Sequence, residues 1–307
     1  MTRMQQTIAN PILIEGIGLH SGKAVKMALL PGSVNSGILF ISKQGSHKVK
    51  FKASPENIRK TTLCTSLGIR DSSPVDLVEH LLAALYGMGV DNLVVRLDDT
   101  EVPILDGSAL PFISAIKEAG LVSQNAPRKS LAILKKLEIE EDGKSISVSP
   151  YAGTRITYTI DYKNRGVGRQ TYDFIFSKFG FANEIAPART FGFLNEVETL
   201  QKNGLALGGS LQNAVVIGPE GILNSEGLRF PDEFVRHKIL DLIGDFSLLG
   251  YDIQGHIIAN CAGHALHAKL MHKMLQNKKS CKIIEIDEKR PQASEVPTAV
   301  FTLSSSV

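Results

Sequence analysis

The sequence predicts an α+β protein of two similar domains, each a mainly antiparallel sheet with two helices, the helices sandwiched between the two sheets. Three observations carry this. The 307 residues sit near two domains on the usual length prior. Each half opens with short alternating apolar and polar segments of strand type, and each half closes with the order helix, strand, helix. The order repeats with almost no residue identity behind it, so the repeat is one of architecture, and helices with one apolar face must bury it against a sheet or another helix.

In the first half, strands are expected at Gln6 to Ile14, Lys23 to Leu30, Gly37 to Ile41 and His47 to Lys52, where Val49 and Phe51 alternate with lysines. Ser73-Pro74-Val75-Asp76 offers an N-cap serine, a proline at the first helical position and an acid three residues after the cap, which predicts a helix running to Tyr86 and closed by Gly87. A buried strand follows at Asn92 to Leu97, then the loop Glu101 to Gly107 and a helix to Ala119. Leu121 to Ser130, with Pro127 and polar neighbours, is the expected boundary: residues 1–125 form the first domain with a small insertion, 126–287 the second, and 288–307 a flexible tail rich in Ser, Pro and charge.

The second half predicts strands at Leu131 to Ile139, Ser145 to Val148, Arg155 to Ile160 and Gln170 to Phe176, a long helix from Asp232 to Leu249, a strand at Gln254 to Asn260 and a helix from Gly263 to Gln276. The stretch at about 179–218 has no counterpart in the first half and is expected to be an insertion carrying a short helix, Glu196 to Lys202.

Composition excludes several classes of function. Lys and Arg number 34 against 31 Asp and Glu, a net charge of +3, so no excess of one sign points to nucleic acid. Three cysteines, Cys64, Cys261 and Cys281, are odd in number and far apart, which argues for a reducing, cytoplasmic setting. The longest apolar run, Leu81 to Val90, falls well short of the ~20 residues that span a bilayer, and the N-terminus lacks a secretory pattern. A monomer is expected.

His237-Lys238-Ile239-Leu240-Asp241 puts an imidazole and a carboxylate at i and i+4 on one helix face, as two ligands of one metal require. Alone, such a pair is also a common solvated ion pair. Glu79-His80 interrupts an otherwise apolar face on the corresponding helix of the first half, a costly placement unless the groups are paired or ligating; alone, it also reads as a snorkelling glutamate and a hydrogen-bonded core histidine. Together, His80, His237 and Asp241 make a two-histidine, one-carboxylate set with a fourth tetrahedral position open for water, and Glu79 stands where a base would. Zn²⁺ is favoured, and Fe²⁺ fits the same ligands. Asp245, one turn beyond Asp241, would keep His264 protonated as a general acid if hydrogen-bonded to it; helix capping and surface charge are the plainer reading. His267, His272, His47 and His256 are read as structural or solvated. Gly16-Ile-Gly-Leu-His-Ser-Gly22 is a turn cluster and not a dinucleotide loop, because a strand pattern follows where a helix is required. Cys64 has no base nearby in sequence to make it a nucleophile.

Val78-Glu-His80, Asp106-Gly-Ser-Ala109, Ala188-Arg-Thr-Phe-Gly-Phe193, Gly204-Leu-Ala-Leu-Gly-Gly-Ser210, Glu233-Phe-Val-Arg-His-Lys-Ile-Leu-Asp241 and Gly263-His-Ala-Leu266 together closely resemble the UDP-3-O-acyl-N-acetylglucosamine deacetylase family, zinc amidases of lipid A biosynthesis. The resemblance runs in order from Gly16 to Lys273. It implies two α+β domains with helices between two sheets, each domain with an insertion at the active site, and an acylated UDP-N-acetylglucosamine as substrate. It implies His80, His237 and Asp241 as zinc ligands, Glu79 as base, His264 as acid with Asp245 orienting it, Thr190 as a hydroxyl donor to the oxyanion and Lys238 as positive charge near the substrate. Cys64 matches a family cysteine near the metal. Phe191, Phe193, Val197, Leu200, Ala206, Leu211 and Val216 match the walls of an acyl-chain passage, and Leu63, Gly209 and Tyr162 join the implied substrate contacts. The chain departs from the family pattern in carrying Cys261 for a basic residue, His267 for an asparagine, and Tyr162-Lys-Asn-Arg165 for a Phe-x-His-Pro segment, with Lys163 and Arg165 the nearest replacements for the lost diphosphate contact. The expected reaction is hydrolysis of the N-acetyl group with release of acetate; the alternatives are a zinc amidase of another acylated sugar and a non-catalytic binder of acyl-sugar nucleotides.

Overall fold

The computed structural model describes residues 3–162 and 166–285; Lys163, Arg165 and the expected tail at 288–307 lie outside the described residues. The first half contains β1 (Met4–Ile8), β2 (Ile12–Ile17), β3 (Ala24–Pro31), β4 (Ile38–Gln44), β5 (His47–Lys52), β6 (Ile58–Lys60), β7 (Ser66–Leu67), α1 (Glu79–Met88), β8 (Leu93–Leu97) and α2 (Leu110–Ala119). There follow β9 (Leu121–Pro127), β10 (Lys129–Ile133), β11 (Leu137–Glu141), β12 (Lys144–Ser149), β13 (Thr154–Tyr162), β14 (Gly168–Ile175), α3 (Lys178–Gly180), β15 (Phe191–Phe193), α4 (Leu194–Lys202), β16 (Val215–Gly218), β17 (Gly221–Ile222), α5 (Glu233–Ser247), β18 (Asp252–Asn260), α6 (His264–Gln276) and β19 (Cys281–Glu285).

The architectural repeat is present in the topology. In the first half β8 enters between two hairpins, antiparallel to β3 and parallel to β4, giving the order β2-β3-β8-β4-β5. In the second half β18 enters between β12 and β13 with the same senses, antiparallel to β12 and parallel to β13. In both halves the central strand lies between the two helices in sequence, α1 and α2 or α5 and α6. The alternation that predicts these strands is the alternation of burial: Val25, Met27 and Leu29 of β3 are buried, as are Ile253, Ile257 and Ala259 of β18. The second sheet is larger, because β10 runs parallel to the start of β18 and β19 pairs antiparallel with β10.

The helices meet one another. α1 packs against α5 and α2, and α5 against α6. The contact between α1 and α5 is a backbone contact: a Cβ at Gly244 would lie 2.1 Å from the carbonyl oxygen of Glu79, so only glycine admits this approach. Apolar residues of both halves join in one continuous core.

Four expectations are corrected. The strand expected at Gln6 to Ile14 is two strands broken at Pro11, because β1 leaves the first sheet to pair with β9, within the expected boundary segment. The helix signalled at Ser73 begins only at Glu79: Val75 exchanges two backbone hydrogen bonds with Leu67 (2.7 and 2.9 Å), so pairing with a distant strand overrides the local cap. That helix ends at Gly89, in the left-handed region at φ 77°, rather than at Gly87. The strand expected over Leu131 to Ile139 is split into β10 and β11. The insertion carries α4 as expected, together with β15 and β16, and β17 just beyond it pairs with β16.

Candidate metal centre and active site

α1 and α5 each point ionisable side chains into the seam between them. His80 comes from the first turn of α1, and His237 and Asp241 stand one turn apart on α5; all three are buried. The Nε2 atoms of His80 and His237 lie 3.7 and 3.3 Å from Oδ1 of Asp241, and the ligand-type atoms of the three residues are within 4.8 Å of one another. Nδ1 of His237 lies 3.1 Å from the carbonyl of Ala188, which assigns the proton to Nδ1 and leaves the Nε2 lone pair facing the cluster. Burial and the neighbouring His237 push His80 down to about 3, and burial likewise pushes His237 down. Burial opposes charge on Asp241, yet Lys238, with His237, holds its carboxyl far below the usual range; Lys238 Nζ donates to its Oδ2 at 2.6 Å. Two neutral imidazoles and an ionised carboxylate converging in a buried site are the donor chemistry of a divalent cation such as zinc, and the residues present fit one.

Glu79 precedes His80 and is buried beside it. Its Oε2 accepts the backbone N–H of Thr65 at 3.1 Å. Burial pushes its carboxyl up to about 8 against the pull of the nearby His264 charge, which makes its carboxylate a stronger proton acceptor than an exposed one. His264 opens α6, its Nδ1 2.7 Å from Oδ2 of Asp245. Burial works against its charge, but the Asp245 carboxylate lifts it to about 9, which keeps it an acid at neutral pH. Asp245 itself is held at about 2 by His264 and His267 despite its burial. Asp245, His264 and His267 form a second cluster of ligand-type atoms. There both imidazole Nδ1 atoms lie 2.7 Å from one carboxylate oxygen, which is hydrogen-bond geometry.

The cavity over this centre, about 160 Å³, is lined by Glu79, His80, His237, Lys238, Asp241 and His264 together with Leu63, Tyr162, Thr190, Phe191 and Phe193. Thr190 is held by backbone bonds to Gly107 (2.8 Å) and Val215 (2.8 Å). Tyr162 packs its ring on Phe191 and Phe193 at 5.7 and 5.6 Å. A larger cleft of about 470 Å³, walled by Tyr86, Arg128 and Asp252, lies apart from the ligand set.

Several residues read from the sequence stand outside the cavity wall. Asp245 does not line it and is hydrogen-bonded to His264, which does. Val197, Leu200, Ala206, Gly209, Leu211 and Val216 belong to the insertion but do not line this cavity. Cys64 is buried against Leu19, Leu77 and Ile104, and burial pushes its thiol far up. Cys261 is half-buried at φ 48°. His267, read as structural or solvated, is fully buried and shares Asp245 with His264. Sequence reasoning missed Leu19, Leu77, Gly192 and Glu196, which line the cavity, and Thr65. Leu19 sits in the Gly16–Gly22 turn, and backbone bonds from Leu207 to His20 (3.2 Å) and from Gly208 to Leu19 (3.0 Å) tie that turn to the insertion. No local pattern signals such a contact.

Residues 5–276 match the family model described as LpxC, UDP-3-O-acyl N-acetylglycosamine deacetylase. Among curated relatives, the UDP-3-O-acyl-N-acetylglucosamine deacetylase of Oleidesulfovibrio alaskensis is 45% identical over 96% of this chain and 97% of its own length. That of Pasteurella multocida is 41% identical over 97% and 99%, and that of Myxococcus xanthus 46% over 91% and 89%. With two histidines, an aspartate, a buried glutamate and a histidine–aspartate pair gathered on three helices, and a match spanning both halves, the chain belongs to the UDP-3-O-acyl-N-acetylglucosamine deacetylase family.

Proposed function

We propose that the chain is a zinc-dependent hydrolase that removes the N-acetyl group from UDP-3-O-acyl-N-acetylglucosamine, releasing acetate, in lipid A biosynthesis. One observation carries the chemistry: a buried donor set, His80, His237 and Asp241, with a proton acceptor, Glu79, and a proton donor, His264, on the same cavity. A binding protein has no need of the last two.

His80 and His237 through Nε2 and Asp241 through a carboxylate oxygen would hold the ion. When bound to such a set, zinc supplies a water of pKa about 7 and a polarised carbonyl. Glu79, as carboxylate, takes a proton from the attacking water. The Thr190 hydroxyl donates to the oxygen that gains charge as the carbonyl carbon becomes tetrahedral. Lys238 offsets the Asp241 charge through its 2.6 Å contact and adds positive potential at that edge of the cavity. His264, with Nδ1 committed to Asp245, gives its Nε2 proton to the departing amine as the C–N bond breaks, leaving acetate and the free amino sugar. Phe191, Phe193 and Leu63 supply the apolar wall on which the 3-O-acyl chain would lie, with Val197, Leu200, Ala206, Gly209, Leu211 and Val216 continuing that path through the insertion.

We also infer a division into two α+β units, residues 1–125 and 126–287, whose helices are layered between the two sheets; the equivalent entry of β8 and β18 and the packing of α1 on α5 support it. The ion would then be held across the seam, with one ligand from the first unit and two from the second. Among the described residues no helix is long and apolar enough to cross a membrane, and with three free cysteines a monomeric cytoplasmic enzyme is the proposed setting.

The test is metal content together with acetate release. The purified chain should hold close to one equivalent of zinc, or of Fe²⁺ when prepared anaerobically, and release acetate from the UDP-sugar. His80→Ala and His237→Ala should lower both. Full zinc and undiminished rates in both variants would overturn the ligand assignment, and metal without acetate release would leave a different acylated sugar as substrate.

A further inference from the structure

Thr65 touches both proton-transfer groups. Its backbone N–H donates to Oε2 of Glu79 at 3.1 Å. Its hydroxyl lies 2.6 Å from Oδ1 of Asp245 and 3.1 Å from Nδ1 of His264, and the residue is buried. It precedes β7 in a loop of the first half, whereas Asp245 and His264 come from α5 and α6 of the second. The loop is pinned: the carbonyl of Thr65 accepts from the N–H of Val78 at 3.3 Å, just before α1, and Ser66 and Leu67 pair with β6.

The protons admit one consistent arrangement. Oδ2 of Asp245 accepts from Nδ1–H of His264 and Nδ1–H of His267, each at 2.7 Å. Oδ1 of Asp245 has only the Thr65 hydroxyl as a hydrogen-bond partner among the described side chains, so that hydroxyl proton points to the carboxylate. The hydroxyl oxygen is then free to share Nδ1–H of His264, which keeps the proton of that ring on Nδ1 and presents Nε2 to the cavity. Loss of the hydroxyl leaves a buried, ionised carboxylate one donor short and held through Oδ2 alone, so that its plane, and with it the ring of His264, is less firmly set.

We propose that Thr65 is a positioning residue of the reaction: through Asp245 it fixes the ring of His264, and through its amide it fixes Glu79, locking the acid of one half to the base of the other. This rests on the deacetylase reading for its kinetic arm but not for its spectroscopic one.

The variants are Thr65→Val, which keeps shape and amide but removes the hydroxyl, and Thr65→Ser, which restores the hydroxyl. In the zinc-loaded full chain, Thr65→Val should lower kcat roughly 10- to 100-fold, the range typical of lost outer partners, with KM and zinc content unchanged, and Thr65→Ser should recover most of the rate. In a His264→Ala background the same valine change should cost little more, because its path runs through His264. Proton–nitrogen spectra of the imidazoles, recorded without substrate, should show the His264 Nδ1–H signal displaced or lost in Thr65→Val and restored in Thr65→Ser. Wild-type kcat in Thr65→Val, an equal loss in both backgrounds, or an unmoved His264 signal overturns the proposal. If Thr65→Val fails to fold, Thr65→Ala against Thr65→Ser puts the same question. A wild-type chain that releases no acetate while the spectra change as described would instead place the fault in the substrate reading.

Discussion

Replacing Asp245 by asparagine should slow turnover by a factor that grows with pH. Asp245 lies 2.7 Å from Nδ1 of His264. Burial alone would drive that imidazole below its ordinary 6.5, yet it stands at about 9, with the Asp245 charge and hydrogen bond as the main opposing causes. The net rise of 2.5, from 6.5 to 9, corresponds to about 3 kcal/mol in favour of the protonated ring. With the carboxylate neutralised, burial prevails and His264 falls to its ordinary value or lower. The acid works protonated. At pH 7.5 the protonated fraction would go from about 97% to about 10% or less, a loss near tenfold, whereas at pH 5.5 both proteins would be mostly protonated. The assay is kcat/KM for acetate release from pH 5.5 to 9.5 with zinc-loaded protein: the ratio of variant to wild-type rate, in which the shared dependence on Glu79 cancels, should fall from near one at pH 5.5 to about a tenth at pH 7.5. A variant to wild-type ratio that does not change with pH would refute the electrostatic account and leave Asp245 only an orienting role.

Two further outcomes follow from the same geometry. Glu79→Gln should abolish turnover and yet raise the melting temperature of metal-free protein above pH 8, since the folded carboxyl is raised from 4.5 to about 8. Its protonated form is the one the fold favours, so stability is full below the unfolded value, is lost as pH rises through about 8, and a neutral amide escapes a penalty of a few kcal/mol; identical melting curves at pH 8.5 would count against this. Gly244→Ala would put a methyl 2.1 Å from the Glu79 carbonyl oxygen, so α1 and α5 must separate. We expect a loss of about 2–4 kcal/mol in urea unfolding and weakened metal retention together, and a loss of either one without the other would disconnect the helix seam from the site.

The periodic parts and the paired residues could be read from the chain alone. Strand alternation in β3 or β18 and the spacing of His237 and Asp241 on one helix face are local properties, because backbone geometry turns a fixed separation along the chain into a fixed direction in space. The complementary pair Glu79 and His80 was legible because charge on an apolar helix face is costly enough to demand a reason. The remaining features depend on partners far apart in the chain. The Ser73 cap lost to the pairing of Val75 with Leu67, and the expected boundary segment became a strand because β1 was there to receive it. His267, indistinguishable in sequence from a solvated histidine, was drawn to Asp245 by the packing of α6 on α5. Thr65 gained its place because β7 and α1 hold its loop against a helix of the other half. Local propensity carries no information about which distant surface will arrive; burial and hydrogen-bond satisfaction at the seam make that choice, and there the acid, the base and the ligand set come within reach of one another.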